Sequence, residues 1–300
     1  MKIGFIGLGR MGFNIVLNLK DHKIHVVAYN RSPGPIKQIK KFGVKVAFSI
    51  WELMKNLPQQ KIIWIMVTAG KPVDAIIKEL LPHLQKDDII IDGGNSFYKD
   101  SVRRYNLLKN KGIHFADIGT SGGLSGARYG ACLTIGGEKK IFKKIEPICR
   151  AVSIKNGYAY LGPSGAGHFV KMVHNGIEYA WLQAAGEGFE LLMNGPYKNL
   201  DLRKISKVWK NGSIIQSKMM EWAEDAFKKN PKLHKIEGIV GGGETGEWAV
   251  KTAREFNVGV GTIKLALLER KKSRKNPRFA GKVVAVLRNE FGGHEVVRRK

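Results

Sequence analysis

Lys171, His174, Asn175 and Glu178 stand at i, i+3, i+4 and i+7, so on a helix turning about 100° per residue they share one face. The residues around them, Phe169, Val170, Met172, Val173, Ile177, Tyr179, Ala180, Trp181 and Leu182, have the composition of a helix packed on most of its sides. Polar groups on such a helix must line a cavity or pair with one another, because an isolated buried charge is costly. Lysine, histidine and glutamate gathered there could move protons, which makes the stripe a candidate active site; the alternative is a solvated helix face.

A second constellation lies at the N-terminus. Residues Lys2 to Ile6 form a short apolar strand that runs into Gly7-Leu8-Gly9-Arg10-Met11-Gly12, and Phe13, Val16, Leu17 and Leu19 continue with helical spacing. Strand, glycine loop and helix together give the dinucleotide-binding pattern. The glycines permit a tight turn and close backbone approach, and the helix N-terminus faces a pyrophosphate. The next strand, Ile24 to Tyr29, ends in Asn30-Arg31-Ser32, where an NAD-preferring site usually carries an acid for the ribose hydroxyls. Arg31 can pair with a 2′-phosphate and Ser32 can donate to it, so NADP is the expected cofactor, with NAD possible.

Strand and helix patterns then alternate. Val44 to Phe48 reads as a strand, and Ser49-Ile-Trp-Glu52 as a capping box opening a helix. Strand Lys61 to Val67 ends at Val67, placed with the cofactor residues, and a helix follows from near Pro72 to Leu81. Strand Ile89 to Ile91 leads to Asp92-Gly-Gly-Asn95-Ser96, helix Lys99 to Lys111 follows, and strand Phe115 to Ile118 precedes the loop Gly119-Thr-Ser121-Gly122-Gly123. Leu133 to Ile135, a helix from Glu138 to Arg150, and Ala159 to Leu161 complete this half. The pattern predicts an α/β Rossmann-like doubly wound sheet over 1–163, with ligands beyond the carboxyl ends of its strands. Residues 164–300 read as helices broken at Gly and Pro, an all-α C-terminal domain that carries the stripe in its first helix.

Composition narrows the classes. Two domains suit 300 residues, and 43% apolar residues suffice for folding. No apolar run is long enough for a membrane span and no signal peptide is recognisable, so a cytoplasmic protein is expected. Cys132 and Cys149 are read as two buried thiols, and no spacing suggests a metal site. The net charge of +26 is spread along the chain, with clusters at Lys37 to Lys41, Arg270 to Lys275 and Arg298 to Lys300. Without a recognisable nucleic-acid module it is read as a lysine bias or solvated basic surface to which an anionic substrate is a useful addition, with no nucleic-acid or membrane partner expected; the charge alone decides nothing.

Taken together, Gly7-Leu-Gly-Arg-Met-Gly12, Asn30-Arg-Ser32, Asp92-Gly-Gly-Asn-Ser96, Thr120-Ser-Gly-Gly123, Lys171-Met-Val-His-Asn-Gly-Ile-Glu-Tyr179, Gly246-Glu-Trp248 and Arg288-Asn-Glu-Phe-Gly-Gly-His294 resemble the 6-phosphogluconate dehydrogenases. These are decarboxylating members of the β-hydroxyacid dehydrogenase superfamily, and the chain resembles their short form over essentially its whole length. The resemblance implies oxidation of 6-phosphogluconate at C3, loss of CO₂, and reprotonation of the enediol to ribulose 5-phosphate. It implies Lys171 as general base, Glu178 as the acid protonating the enediol, and Asn175 and His174 as substrate-placing groups. It further implies that Ser121, Gly122 and Gly123 hold the carboxylate and that Asn95 lies between nicotinamide and sugar hydroxyls. Tyr179 and Arg270 would reach the phosphate, and Arg288 and His294 would complete a neighbouring subunit's site in a homodimer. Longer members carry a phosphate-binding lysine just ahead of the Thr-Gly-x-Trp segment, whereas this chain reads Gly241-Gly-Gly-Glu244-Thr245-Gly-Glu-Trp248. Lys251, Lys264, or Arg270 with Arg288 are the candidate replacements. A rival within the superfamily, such as a 3-hydroxyisobutyrate dehydrogenase, would not require Glu178, Tyr179 or the tail motif.

Overall fold

A computed structural model describes residues 1–298; Arg299 and Lys300 of the last basic cluster lie outside the described residues. Contacts divide the chain into a unit ending at Met172 and another from Val173 onward. The first contains β1 (Lys2–Ile6), α1 (Arg10–Asp21), β2 (His25–Tyr29), α2 (Pro33–Lys40), β3 (Lys45–Val46), α3 (Ile50–Lys55), β4 (Ile62–Ile65), α4 (Lys71–Leu80), β5 (Ile89–Asp92) and α5 (Tyr98–Lys109). It continues with β6 (His114–Ser121), α6 (Gly123–Tyr129), β7 (Ala131–Gly137), α7 (Lys139–Val152), β8 (Ser153–Gly162) and the start of α8 (Ala166–Asn194).

The eight strands form one sheet in the order β3-β2-β1-β4-β5-β6-β7-β8. Every neighbouring pair is parallel except β6 with β7. Alternate residues enter opposite faces. Thus Ile3, Phe5, Trp64, Ile89 and Ile91 join one core cluster, while Ile6, Ile63, Ile65 and Ile90 join the other. Helices covering both faces explain why these strands are apolar throughout.

Several local readings are sharpened. The Ser49 hydroxyl accepts from Glu52 N–H at 3.0 Å, and the Glu52 carboxylate accepts from Phe48 N–H at 2.8 Å, so the box closes one residue ahead of the cap. Residues Gly119 to Ser121, expected in a loop, are strand: β7 turns back antiparallel and pairs Ser121 with Cys132, which carries the ladder to the end of β6. Helix α6 had no counterpart in the sequence reading, because its seven residues start on Gly122 and Gly123, both at positive φ. Cys132 is exposed rather than buried, since alternation along β7 turns it away from Ala131 and Leu133; Cys149 is buried, and burial pushes its thiol up to about 12.

The second unit continues α8 and adds α9 (Leu202–Trp209), α10 (Lys218–Lys229), α11 (Glu244–Glu255), α12 (Gly261–Lys272) and α13 (Phe279–Gly292). Its main core gathers Leu182, Phe189, Phe227, Val283 and Leu287, and a smaller one gathers Tyr179, Val250, Ala266 and Leu267. No helix of the described residues is long and apolar enough to cross a membrane. Helix α8 itself is less enclosed than its composition suggested: Val173, Ile177 and Leu191 are 38%, 59% and 72% exposed.

Close packing of α8 on the sheet depends on small residues. A Cβ added at Gly119 would collide with Lys171 Cβ and Thr134 Oγ1. Gly119→Ala is expected to destabilise the protein by about 1–3 kcal/mol through overpacking, seen as a lower urea midpoint with an unchanged slope.

Candidate active site

Six connections open at the carboxyl edge of the parallel strands, those after β1, β2, β3, β4, β5 and β6. Helix α1 begins at Arg10, with Gly9 as a cap that offers no side chain and no acid in the first turn. Its N-terminus therefore keeps backbone donors for an anion. Gly7, at φ +105, leaves no room for a Cβ against Met66 O and also lies beside Val67, and Gly12 leaves none against Gly7 O. Gly7 and Gly12 thus each have a steric reason to be glycine, while a Cβ at Gly9 would meet nothing within 4 Å, and the loop fits a dinucleotide pyrophosphate. Asn30 binds this loop from the neighbouring strand: its Oδ1 accepts from Leu8 N–H at 2.9 Å, and its amide donates to Ser32 O at 3.1 Å. Arg31 is exposed at the same edge.

Farther along, Thr120 Oγ1 donates to Gly93 O at 3.4 Å, joining the end of β6 to the 92–96 loop. Within that loop Asp92, Gly93, Gly94 and Ser96 are buried and Asn95 is exposed. Lys171 is 9% exposed and packs over Gly119, two residues before Ser121. The first unit thereby brings Lys171 and the Ser121-Gly122-Gly123 segment together.

What sets Lys171 at that place is Asp117, a residue the sequence reading did not single out. Its carboxylate, fully buried in β6, accepts from Gly165 N–H at 2.6 Å and His168 N–H at 2.9 Å, and lies 3.3 Å from the Ser164 hydroxyl. An acid at a helix N-terminus satisfies orphan donors and complements the helix dipole. His168 Nδ1 meets Ser101 Oγ at 2.7 Å, and Thr134 Oγ1 donates to Gly167 O at 2.9 Å, so the first turn of α8 is fixed from three sides. The only sequence signal was an acid inside an otherwise apolar strand.

The rest of the stripe lies in the second unit. Asn175 is 8% exposed, Glu178 half-buried and His174 exposed, with His174 Nδ1 3.2 Å from Asn175 Oδ1. One turn on, Tyr179 is the centre of a cationic cluster. Its hydroxyl is 3.0 Å from Thr245 Oγ1, and the Arg270 guanidinium stacks 3.5 Å over its ring. Gly246 has no space for a Cβ against the same ring. Arg270 is buried, its Nη1 has no protein partner, and burial brings its pKa down to about 10. Burial likewise lowers Arg288, which senses Tyr179, Glu178 and Glu244 and adds repulsion to Arg270. Within its own chain α13 carries Arg288 against Gly242, beside Tyr179, Glu178 and Glu244. His294 turns back on Phe291 at the end of α13, ring centroids 5.9 Å apart. Lys251 and Lys264 are exposed, so the residues gathered around Tyr179 are the two arginines. Two desolvated guanidiniums, one with a donor unused, have the chemistry to receive a strongly charged anion such as a phosphate.

A doubly wound sheet with a dinucleotide loop, followed by a helical unit with a buried lysine on its first helix, defines a nicotinamide-linked hydroxyacid dehydrogenase. Residues 2–162 match the NAD binding domain of 6-phosphogluconate dehydrogenase and 167–289 match the 6-phosphogluconate dehydrogenase C-terminal domain, so the chain belongs to the 6-phosphogluconate dehydrogenase family. It is 42% identical over 301 residues to the NAD(+)-dependent, decarboxylating 6-phosphogluconate dehydrogenase of Haloferax volcanii, covering 100% of this chain and 99% of that one. Against the NADP(+)-dependent, decarboxylating enzyme of Bacillus subtilis, identity is 39% over 272 residues, or 86% of this chain and 58% of the longer relative. The Plasmodium falciparum 6-phosphogluconate dehydrogenase, solved apo, with NADP+ and with 6-phosphogluconate, superposes with a TM-score of 0.83 at 32% identity, covering 91% of this chain and 62% of that one. A Mycobacterium tuberculosis 3-hydroxyisobutyrate dehydrogenase shares the fold, with a TM-score of 0.72 at 18% identity over 94% of this chain and 97% of that one.

Arg270→Met, which keeps length but removes the charge, is expected to raise the KM for a phosphorylated substrate by roughly a hundredfold, with a loss of about 2–3 kcal/mol from one charged hydrogen-bonded contact. Steady-state kinetics checks it, and the KM for the nicotinamide should stay within about twofold.

Proposed function

We propose that this chain oxidises and decarboxylates 6-phosphogluconate to ribulose 5-phosphate and CO₂, reducing NADP or NAD. The observation that carries the substrate is the pair Arg270 and Arg288 around Tyr179, with Arg270 Nη1 left without a protein partner. A small unphosphorylated acid would leave those guanidiniums buried and unpaired, at a cost.

When bound, the nicotinamide supplies the hydride acceptor for C3. Lys171 takes the C3 hydroxyl proton as the hydride departs, so C3 becomes a ketone. The protonated Lys171 then donates a hydrogen bond to that ketone, and the C1–C2 bond breaks with its electron pair drawn toward C3, releasing CO₂ and leaving an enediolate whose C3 oxygen Lys171 stabilises. Glu178 delivers a proton to the carbon that lost CO₂, which gives the ketose. Asn175 and His174 orient the C3 hydroxyl, Ser121, Gly122 and Gly123 hold the carboxylate, and Asn95 separates nicotinamide from the sugar hydroxyls. Tyr179, Thr245, Arg270 and Arg288 take the phosphate, in place of the lysine found in longer members.

Arg31 favours NADP, while the full-length Haloferax relative is named NAD(+)-dependent; the ratio of kcat/KM for the two cofactors decides between them. We also propose a cytoplasmic homodimer, in which the exposed α8 flank of Val173, Ile177 and Leu191 is covered by a second copy and His294 reaches the neighbouring site.

Lys171→Ala is expected to lower turnover of 6-phosphogluconate by about 10³-fold or more while cofactor still binds in a fluorescence titration; near-normal turnover would remove the assigned base. Mixed and allowed to exchange subunits, inactive Lys171→Ala and His294→Ala proteins should recover activity. No recovery despite proven exchange would return His294 to its own chain's site.

A further inference from the structure

Behind the cofactor edge of the sheet sits a charged network that the proposed reaction does not use. On α5, Ser101, Arg104 and Leu108 form the buried face, so of the two adjacent arginines Arg103 points outward and Arg104 inward. Arg104 is 1% exposed. Its Nε donates to Asp74 Oδ1 at 2.8 Å, Nη1 to Asp92 Oδ2 at 3.0 Å and to Ser96 Oγ at 3.3 Å, and Nη2 to Gly70 O at 3.0 Å.

Those partners belong to two different loops and, for Asp74, to the first turn of α4. Gly70 ends the connection from β4 that begins at Met66, and its positive φ starts α4. Asp92 and Ser96 bracket the connection from β5, where Ser96 Oγ donates to Asp92 Oδ2 at 2.8 Å and Gly94 N–H to Asp92 Oδ1 at 3.2 Å. The loops touch at Gly94, where an added Cβ would stand 2.9 Å from Val67 O. Asn95, the exposed residue of the second loop, lies between Gly94 and Ser96, both tied to Asp92. Partial burial pushes the Asp74 carboxyl up, and hydrogen bonds from Arg104 and Arg103 more than reverse this, leaving it ionised below its ordinary range.

We propose that Arg104 is a positioning residue: its planar fork fixes the separation of the β4–α4 and β5–α5 loops and so presents Asn95 and Val67 to the nicotinamide half of the cofactor. The inference rests on the reading of Asn95 and Val67 as neighbours of the nicotinamide. Lysine cannot replace Arg104, because an ammonium has three donors on a single nitrogen and cannot span the four separate acceptor groups that the guanidinium fork reaches. The adenine half, met by Asn30 to Ser32 and joined at the pyrophosphate to the Gly7 to Gly12 loop, does not depend on the clamp.

The test compares binding of NADPH and NADH with binding of the adenine half alone, 2′,5′-ADP and ADP-ribose, by fluorescence and calorimetric titration. Arg104→Lys is expected to weaken the dinucleotides by about tenfold and to lower kcat further, since small displacements of reacting groups cost large factors in rate. Affinity for the adenine half should stay within about twofold. Equal weakening of both ligands would make Arg104 a general fold residue and overturn the proposal, as would a folded Arg104→Lys protein with unchanged dinucleotide affinity and kcat. If that variant does not fold, Asp74→Ala, at the more exposed end of the network, is the second probe. It should weaken the dinucleotides alone by about threefold, a smaller share of the same effect. Arg103→Ala, which loses the same aspartate but touches neither loop, should leave them unchanged. No effect of Asp74→Ala, or an equal effect of Arg103→Ala, would overturn the assignment. A wild-type chain that binds both nicotinamides but leaves 6-phosphogluconate unconverted would sink the proposed function and leave this binding comparison intact.

Discussion

A long helix begins with backbone N–H groups that its own turns cannot satisfy, and α8 has two of its own answered by Asp117 from the middle of a sheet. Because the carboxylate is fully buried, replacing it would strand both donors in an apolar interior, a penalty of about 1–3 kcal/mol for each. The same contact fixes the axial position and rotation of the helix at its first turn. Lys171 follows within two turns, so the proposed base inherits its placement from a strand residue more than fifty positions earlier in the chain. Glycines at 119, 136 and 167 let helix and sheet approach closely enough for that bond to form.

Charge is handled differently in the two units. In the first, Arg104, Asp74 and Asp92 satisfy one another, and a buried network of this kind is costly to leave half complete. In the second, Arg270 retains an unused donor and Arg288 repels it, so under the proposed function an anion completes the cluster. The net charge of +26 gives no hint of this distinction, since Arg270 sits in a run of basic residues that otherwise reads as surface.

Much of this was legible in the sequence where the determinant is local. The Gly7 to Gly12 loop, the Ser49 cap and the Lys171 to Glu178 stripe each depend on residues within a turn or two, and each has the expected local form. The boundaries that slipped depended on partners far away. β6 runs to Ser121 because β7 pairs with it, and Cys132 faces solvent because of that register. Asp117 and Arg104 escaped for the same reason: their partners lie 48 and 51 residues away for the first, and 12, 30 and 34 residues away for the second. The composition of α8 also misled, because apolar residues on a helix register a demand for cover without showing whether the chain's own core or a second copy supplies it.

The measurement that bears most directly on the proposed chemistry is a simultaneous assay of reduced nicotinamide and ¹⁴CO₂ from 6-phosphogluconate labelled at C1. Equal yields of the two products are expected, with a phosphate-free analogue such as gluconate turned over far more slowly. Reduced nicotinamide without matching CO₂, or a preference for the unphosphorylated acid, would contradict the assignment of Lys171 and Glu178 to successive proton transfers on a phosphorylated substrate.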